Sequence, residues 1–196
     1  MALMPSLADL SWPLRTERLL IRPSTTDDVE ALWRIRSIPS VSEWLPYVAV
    51  DQAAFTERFS DPERLRKTLV LERDGTVIGD LMVSVESPWA QEEVKEQAAD
   101  AQAELGWSID PAVEGHGYAT EAARALLRLC FEDLGLRRVT ALCFADNTGS
   151  WRLMERIGMR REIHTVADSL HRTRGWLDGL GYAILADEWR ASGRVA

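Results

Sequence analysis

Short runs of apolar residues at recognisable spacing recur along most of the chain, and each run predicts an element. RLLIR at Arg18–Arg22 is brief, apolar and stopped by Pro23, the mark of a strand. Thr25 and Asp28 give a capping-box-like start, and Val29, Leu32, Trp33 and Arg36 follow at helical spacing, so a helix runs to about Ser37. Pro39 and Pro46 punctuate what comes next. Gln52–Arg66 carries Phe55 and Phe59 on a weaker helical pattern with a break at Pro62. Thr68–Arg73 and Thr76–Val85 are β-rich runs joined by Asp74-Gly75, which supplies the positive φ angles of a type I′ hairpin turn.

The stretch Ser87–Gln102 breaks this pattern. It is acidic, rich in Ala and Gln and poor in core residues, and it reads as an insertion whose charges solvate a surface face. Ala103–Ile109 is the next strand, ended by Asp110-Pro111. Apolar positions 119, 122, 126, 129, 130 and 134 give a long amphipathic helix over Gly117–Leu134, with Gly135 as its stop. Arg138–Phe144 reads as a buried strand, Asn147–Ile157 as a short helix closed by Gly158, and Met159–Val166 and Gly181–Leu185 as late strands. No internal repeat or low-complexity stretch interrupts them. This order predicts a mixed α/β (α+β) domain in which helices cover a mostly antiparallel sheet. The expected organisation is a single domain, 1–196, with a core over about 16–190 and the acidic insertion at about 87–102.

Charge narrows the class of partners. Lys and Arg total 23 against 31 Asp and Glu, a formal charge of −8, and such a chain repels nucleic-acid backbones and anionic membranes. A local pocket for a small anion is still compatible with that balance. Cys130 and Cys143 sit in apolar runs without metal or redox spacing and read as free thiols of a reducing, cytoplasmic setting. The N-terminal segment lacks a basic start, and Asp9 interrupts its apolar run, so it does not read as a leader. No run approaches the ~18 apolar residues of a membrane span. His116, His164 and His171 have no accompanying cysteine cluster, and no metal site is expected.

The candidate chemistry concentrates in Ile109–Ala122, IDPAVEGHGYATEA. A strand, a proline turn, two glycines and a helix are the parts of an anion site. Gly115 and Gly117 let the backbone approach a bulky anion, and the helix N-terminus adds unsatisfied N–H donors and roughly half a positive charge. A Rossmann fingerprint would need a third glycine where Thr120 stands, and the Gly-Lys-Ser/Thr of a Walker loop is absent. Taken alone, the pattern serves an anion site and a plain strand-to-helix turn equally well.

The stretch resembles motif A of the GNAT superfamily of acetyl-CoA-dependent N-acetyltransferases, whose loop reads Gln/Arg-x-x-Gly-x-Gly/Ala. The matching positions are Glu114, Gly115, His116, Gly117, Tyr118 and Ala119. TERLLIRP, GWSIDP, GYATEA, Asn147-x-x-Ser150 with LMERIGM, Trp176-x-Asp178 and the closing YAIL…EW resemble, in order, the branch of ribosomal-protein N-terminal acetyltransferases. The likeness runs from about Thr16 to Trp189. It departs at Glu114, where the family has Gln or Arg.

The resemblance implies a GNAT fold in which the strands Ala103–Ile109 and Arg138–Phe144 splay apart to admit the pantetheine arm of acetyl-CoA. Backbone groups around Trp107 and Ile109 would bind that arm as an added strand does. Gly115, His116, Gly117, Tyr118, Ala119 and Thr120 would hold the pyrophosphate, and Asn147 would contact the cofactor while capping its helix. Many relatives protonate the departing thiolate with a tyrosine at the position of Met154; the branch resembled here carries the hydroxyl of Ser150 instead. Glu104 is the candidate general base and Asp168 its rival. Trp44 falls where the family builds its acceptor pocket, while Trp33, Trp107, Trp151 and Trp189 are expected in the core or the cofactor wall. The implied reaction moves an acetyl group to a primary amine, a protein N-terminus or a small molecule, by direct attack, and the likeness also points to a homodimer. The alternatives are an inactive acyl-CoA sensor or a scaffold of the same fold.

Overall fold

The computed structural model describes residues 6–193. Residues 1–5, where the segment read as lacking a leader begins, and residues 194–196 lie outside the described residues. In chain order the elements are β1 (Leu14–Arg15), β2 (Leu20–Pro23), α1 (Val29–Arg36), α2 (Pro39–Ser42), α3 (Gln52–Phe59), α4 (Pro62–Lys67), β3 (Thr68–Arg73), β4 (Thr76–Glu86), β5 (Gln102–Ile109), α5 (Tyr118–Arg128), β6 (Arg138–Phe144), α6 (Thr148–Arg156), β7 (Arg160–His171), β8 (Gly175–Leu185) and α7 (Ala186–Ala191). The strand order is β1-β2-β3-β4-β5-β6-β8-β7, an open eight-stranded sheet. β5 and β6 pair in parallel, whereas β1–β2, β2–β3, β3–β4, β6–β8 and β7–β8 are antiparallel. No helix among the described residues is long and apolar enough to cross a membrane.

The chain forms two compact units, 6–83 with 106–125 and 84–105 with 126–193. In the first, α1 and α3 bury Val29, Leu32, Phe55 and Phe59 with Val70 of β3, and half-buried Trp33 and Leu65 extend the cluster. The 3-10 turn Thr26–Asp28 that leads into α1 is fixed by Asp28, whose carboxylate accepts from the Thr25 amide at 2.8 Å and takes both ends of the Arg22 guanidinium at 2.8 and 2.6 Å. Gln52–Arg66, expected as one interrupted helix, is two. Asp61 caps α4 through the Glu63 and Arg64 amides, and Pro62 occupies the first helical position, where its missing N–H is no loss. The hairpin turn forms as the sequence indicates, with φ of 49° at Asp74 and 75° at Gly75. Gly79 of β4 lies so close to β5 that an added Cβ would stand 2.3 Å from the Ser108 carbonyl oxygen.

In the second unit the helix continued from α5 ends in a π-helical turn over Leu129–Asp133, closed by the Leu134 amide bonding to the Leu129 carbonyl at 2.9 Å. Leu129, Cys130 and Phe131 are all buried there, a run wider than the apolar stripe of a 3.6-residue turn. Phe131 packs on Trp189 of α7 with ring centroids 6.1 Å apart. The late strands are longer than expected, twelve and eleven residues instead of the two short pieces at Met159–Val166 and Gly181–Leu185. β7 is exposed along nearly its whole length, so it lacks the alternation that marks a half-buried strand, and the glycines of β8 resemble breakers. Neighbouring side chains cover those glycines instead. Ile163 and Leu142 close over Gly181, and Thr165 and Asp168 over Gly179.

Candidate functional site

The glycine loop belongs to the first unit and is built by local bonding. Asp110 turns the chain by accepting from the Ala112 amide at 2.9 Å, and Pro111–Val113 make one 3-10 turn. Gly115 and Gly117 both adopt φ of 81°, a region open to glycine. A Cβ at Gly115 would meet nothing within 4 Å, and one at Gly117 would meet only the Arg18 guanidinium at 3.6 Å. The loop is thus not crowded into its shape by neighbouring atoms. Tyr118 then opens α5, whose first-turn N–H groups have no partner within the helix. His116 bonds through Nδ1 to the carbonyl oxygens of Glu114 at 2.9 Å and Val113 at 3.3 Å. Because both partners are acceptors, Nδ1 carries a proton in this arrangement. Glu114, the departure from the family pattern, is exposed.

Three residues that sequence reasoning passed over fasten this loop. The Arg18 guanidinium donates to the His116 carbonyl at 3.0 Å and to Glu121 of α5 at 2.7 Å, while the Thr16 hydroxyl donates to the other Glu121 oxygen at 2.5 Å. Burial alone would raise the Glu121 carboxyl, but the hydrogen bonds from Thr16 and Arg18 hold it below its ordinary value. Arg18 and Arg73 also lie 4.7 and 5.0 Å from the centroid of the buried Tyr118 ring, and His116 stacks on it at 5.7 Å. The glutamate in GYATEA was the only local signal for this arrangement; its partners are more than ninety residues away.

β5 passes through both units. The Asp110 amide bonds to the Ile78 carbonyl at 2.8 Å, so the backbone at the end of β5 points toward β4. Trp107 and Ile109 are at odd positions and turn their N–H groups toward the opposite edge, because these alternate along a strand. The ladder from β5 to β6 holds three residue pairs and ends at Glu104–Thr140. Ala141–Phe144 continue in pairs with β8 alone.

Within the second unit, Asn147 caps α6 by accepting from the Ser150 amide at 3.2 Å, and the Ser150 hydroxyl shares a hydrogen bond with the Cys143 thiol. Burial pushes that thiol up to about 11 against the hydrogen bond, and pushes fully buried Cys130 up to about 12. Met154 is buried. Glu104 is half-buried, and burial followed by the charge of Glu86 raises its carboxyl. Asp168 lies in the irregular stretch of β7 between Thr165 and Ser169, where bonds from the Thr165 hydroxyl at 2.5 Å and the Ser169 hydroxyl at 2.8 Å lower it. Trp44 is half-buried in the turn after α2, and Trp107 and Trp151 are also half-buried. The histidines His164 and His171 have structural partners; His164 pairs with Asp178 at 2.9 Å and His171 meets the Phe144 ring edge-on.

Comparison with known proteins gives one answer. The profile of the acetyltransferase (GNAT) domain family matches residues 18–160. The uncharacterized N-acetyltransferase YnaD of Bacillus subtilis is 29% identical over 179 residues, covering 90% of this chain and 98% of that protein. A crystal structure of a GNAT-family acetyltransferase from Bacillus anthracis superposes with a TM-score of 0.75 at 30% identity, over 90% of this chain and all of that one. RimL, a ribosomal L7/L12 α-N-protein acetyltransferase solved in complex with coenzyme A, shares the fold at 16% identity, with a TM-score of 0.72 over 88% of this chain and 97% of that one. The chain therefore belongs to the GNAT family and is an acetyltransferase.

Proposed function

We propose that this protein, as one GNAT domain, transfers the acetyl group of acetyl-CoA to a primary amine by direct attack, the acceptor being a protein N-terminal α-amine or a small-molecule amine. The observation that carries the reading is the glycine loop, with two left-handed glycines, open space at Gly115 and the N-terminus of an eleven-residue helix. These are the features a pyrophosphate requires, and they work without lysines in an acidic chain. Gly115, His116, Gly117, Tyr118, Ala119 and Thr120 would hold it through backbone N–H groups, with Arg18 keeping the loop in place. Trp107 and Ile109 offer backbone groups for the pantetheine arm, and Asn147 a side-chain amide. Bound acetyl-CoA supplies an activated thioester whose leaving group is a thiolate.

The chain's own residues would then manage protons. An α-amine near pKa 8 is partly neutral at pH 7 and needs only modest help. Glu104, raised by burial and by Glu86, is a stronger base than an exposed carboxylate, whereas the bonds to Asp168 make that group a weaker one. Ser150 has its amide held by Asn147 and is the candidate to protonate the thiolate. The raised cysteines stay protonated at neutral pH, so neither is an activated nucleophile, in keeping with direct attack. A thiol-release assay with a panel of amines tests the reading. Ser150→Ala should lower kcat about tenfold or more while leaving acetyl-CoA affinity nearly unchanged. An unaltered kcat, with chemistry shown to be rate-limiting, removes Ser150 from the reaction; no thiol release with any amine removes the activity.

A further inference from the structure

The motifs TERLLIRP and GYATEA lie far apart in the chain, and the first unit joins them through Glu121 of α5. One oxygen of that carboxylate, Oε1, accepts from the Thr16 hydroxyl at 2.5 Å and from the Arg18 amide at 2.9 Å. The other, Oε2, meets both Nε and Nη2 of Arg18 at 2.7 Å. The remaining arm of the guanidinium, Nη1, donates to the His116 carbonyl at 3.0 Å. Its carbon lies 4.7 Å from the centroid of the Tyr118 ring. Each side-chain nitrogen of Arg18 is therefore engaged within the protein, and a carboxylate balances its charge. A separate set of guanidinium groups in this unit, Arg36, Arg58 and Arg64 along an aromatic cleft between α1, α3 and α4, includes no residue of the loop.

The bond to the His116 carbonyl has a consequence one atom further along. In a planar trans peptide the C=O and the following N–H point in opposite directions. A carbonyl drawn toward Arg18 therefore turns the Gly117 N–H away from it. No backbone carbonyl among the described residues accepts from that amide. Glycine has no side chain to hold a peptide plane, and around Gly117 only Arg18 comes within 4 Å of where a Cβ would stand. The direction of this donor is thus set by Arg18. We infer that Arg18 is a positioning residue for the cofactor: held by Glu121 and Thr16, it fixes the His116 carbonyl and so aims the Gly117 N–H at the pyrophosphate, acting through direction and not through charge. This role rests on the acetyl-CoA reading proposed above. Glu121 then acts in two opposed ways. As a negative charge in the first turn of α5 it repels a phosphate, and as the anchor of Arg18 it favours one.

Coenzyme A titrated by calorimetry into the whole protein and its variants tests this. Arg18→Gln should weaken binding about tenfold or more, because an aimed hydrogen bond to a charged group is lost. The loss should be the same at about 0.05 M and about 0.5 M salt, since Glu121 already balances the arginine; a direct charge contact would fade as salt screens it. Glu121→Gln should weaken binding about threefold or more, although removing a negative charge would by itself tighten the binding of an anion. The double variant should bind about as Arg18→Gln does, because the glutamate acts through the arginine. Both single variants should melt cooperatively; if Arg18→Gln does not, the sign of the Glu121→Gln effect decides, since that change conserves shape. Equal binding by the wild type and Arg18→Gln, a loss that fades at high salt, or tighter binding by Glu121→Gln overturns the positioning role and leaves the cofactor reading standing. No binding of coenzyme A by the wild type removes the cofactor reading and this role with it.

Discussion

The glycine loop and the aromatic cleft belong to the same unit and both present positive charge, but they make it in opposite ways. The loop uses backbone N–H groups at a helix N-terminus and contributes no cationic side chain of its own; its one arginine, Arg18, is occupied in holding it. The cleft uses guanidinium side chains contributed by three helices, and only one of the three has a carboxylate partner. A backbone site can be assembled from about a dozen consecutive residues and costs little to leave empty, because water reaches the donors. A side-chain site needs separate helices to converge, and each half-buried cation without a partner weighs against folding. The difference teaches that backbone donors come with the turn and helix that hold them, while side-chain donors depend on which helices and strands converge.

Asp80→Ala breaks the comparison at its strongest point. It would place Arg36 in the condition of Arg64 by removing the partner of a largely buried guanidinium, and should lower stability by about 3 kcal/mol. At this chain length that corresponds to a fall of roughly 6–12 °C in melting temperature. If calorimetry showed no loss, the Arg36–Asp80 pair would contribute nothing to stability.

Gly117→Asp addresses the loop. Aspartate tolerates the left-handed region better than most residues, and its Cβ would meet only Arg18, so the variant should still melt cooperatively. Acetyl-CoA at a hundredfold excess over Kd should stabilise the wild type by about 2.7 kcal/mol, several degrees, with no shift from NAD. The variant should lose that shift, since a carboxylate would stand in the loop proposed to hold the pyrophosphate. An undiminished shift would place the cofactor elsewhere.

The smallest effect concerns the clasp that secures the loop. Glu121→Gln should cost about 1 kcal/mol at neutral pH, discounted for the partial exposure of Arg18. A carboxyl held below its ordinary value stabilises the fold above its unfolded pKa and loses that contribution as pH falls through the folded one. The wild type's advantage over the variant should therefore be full at pH 6 and shrink below about pH 4. A difference in melting temperature that is constant from pH 6 to pH 3 would mean that the ionised carboxylate is not what holds Arg18 and Thr16.

What was legible in the sequence is what short-range physics decides. Asp74-Gly75 can make few turns other than the one observed, the Thr25–Asp28 pair starts the turn that leads into α1, and the proline-glycine-glycine order before an amphipathic helix dictates the loop. Proline at position 62 was visible as a break, but whether a break ends a helix or starts another depends on Asp61 accepting two amides, a detail of geometry. The β7–β8 hairpin was largely hidden, because an exposed strand has no apolar alternation and its glycines are covered by residues from other strands.

By itself, then, the sequence determined most of the order of elements, the family likeness and the place of a glycine loop before an amphipathic helix, all of which follow from spacings of a few residues, while β1, α2 and α7 went unseen. Only the tertiary structure decided which carboxylate clasps the loop and which arginine is left without a partner. Arg18 meets Glu121 across 103 positions, Arg36 meets Asp80 across 44, and Arg64 meets neither. Charge pairing in a folded chain is settled by which helices and strands come to rest side by side, and no local pattern of residues encodes that choice.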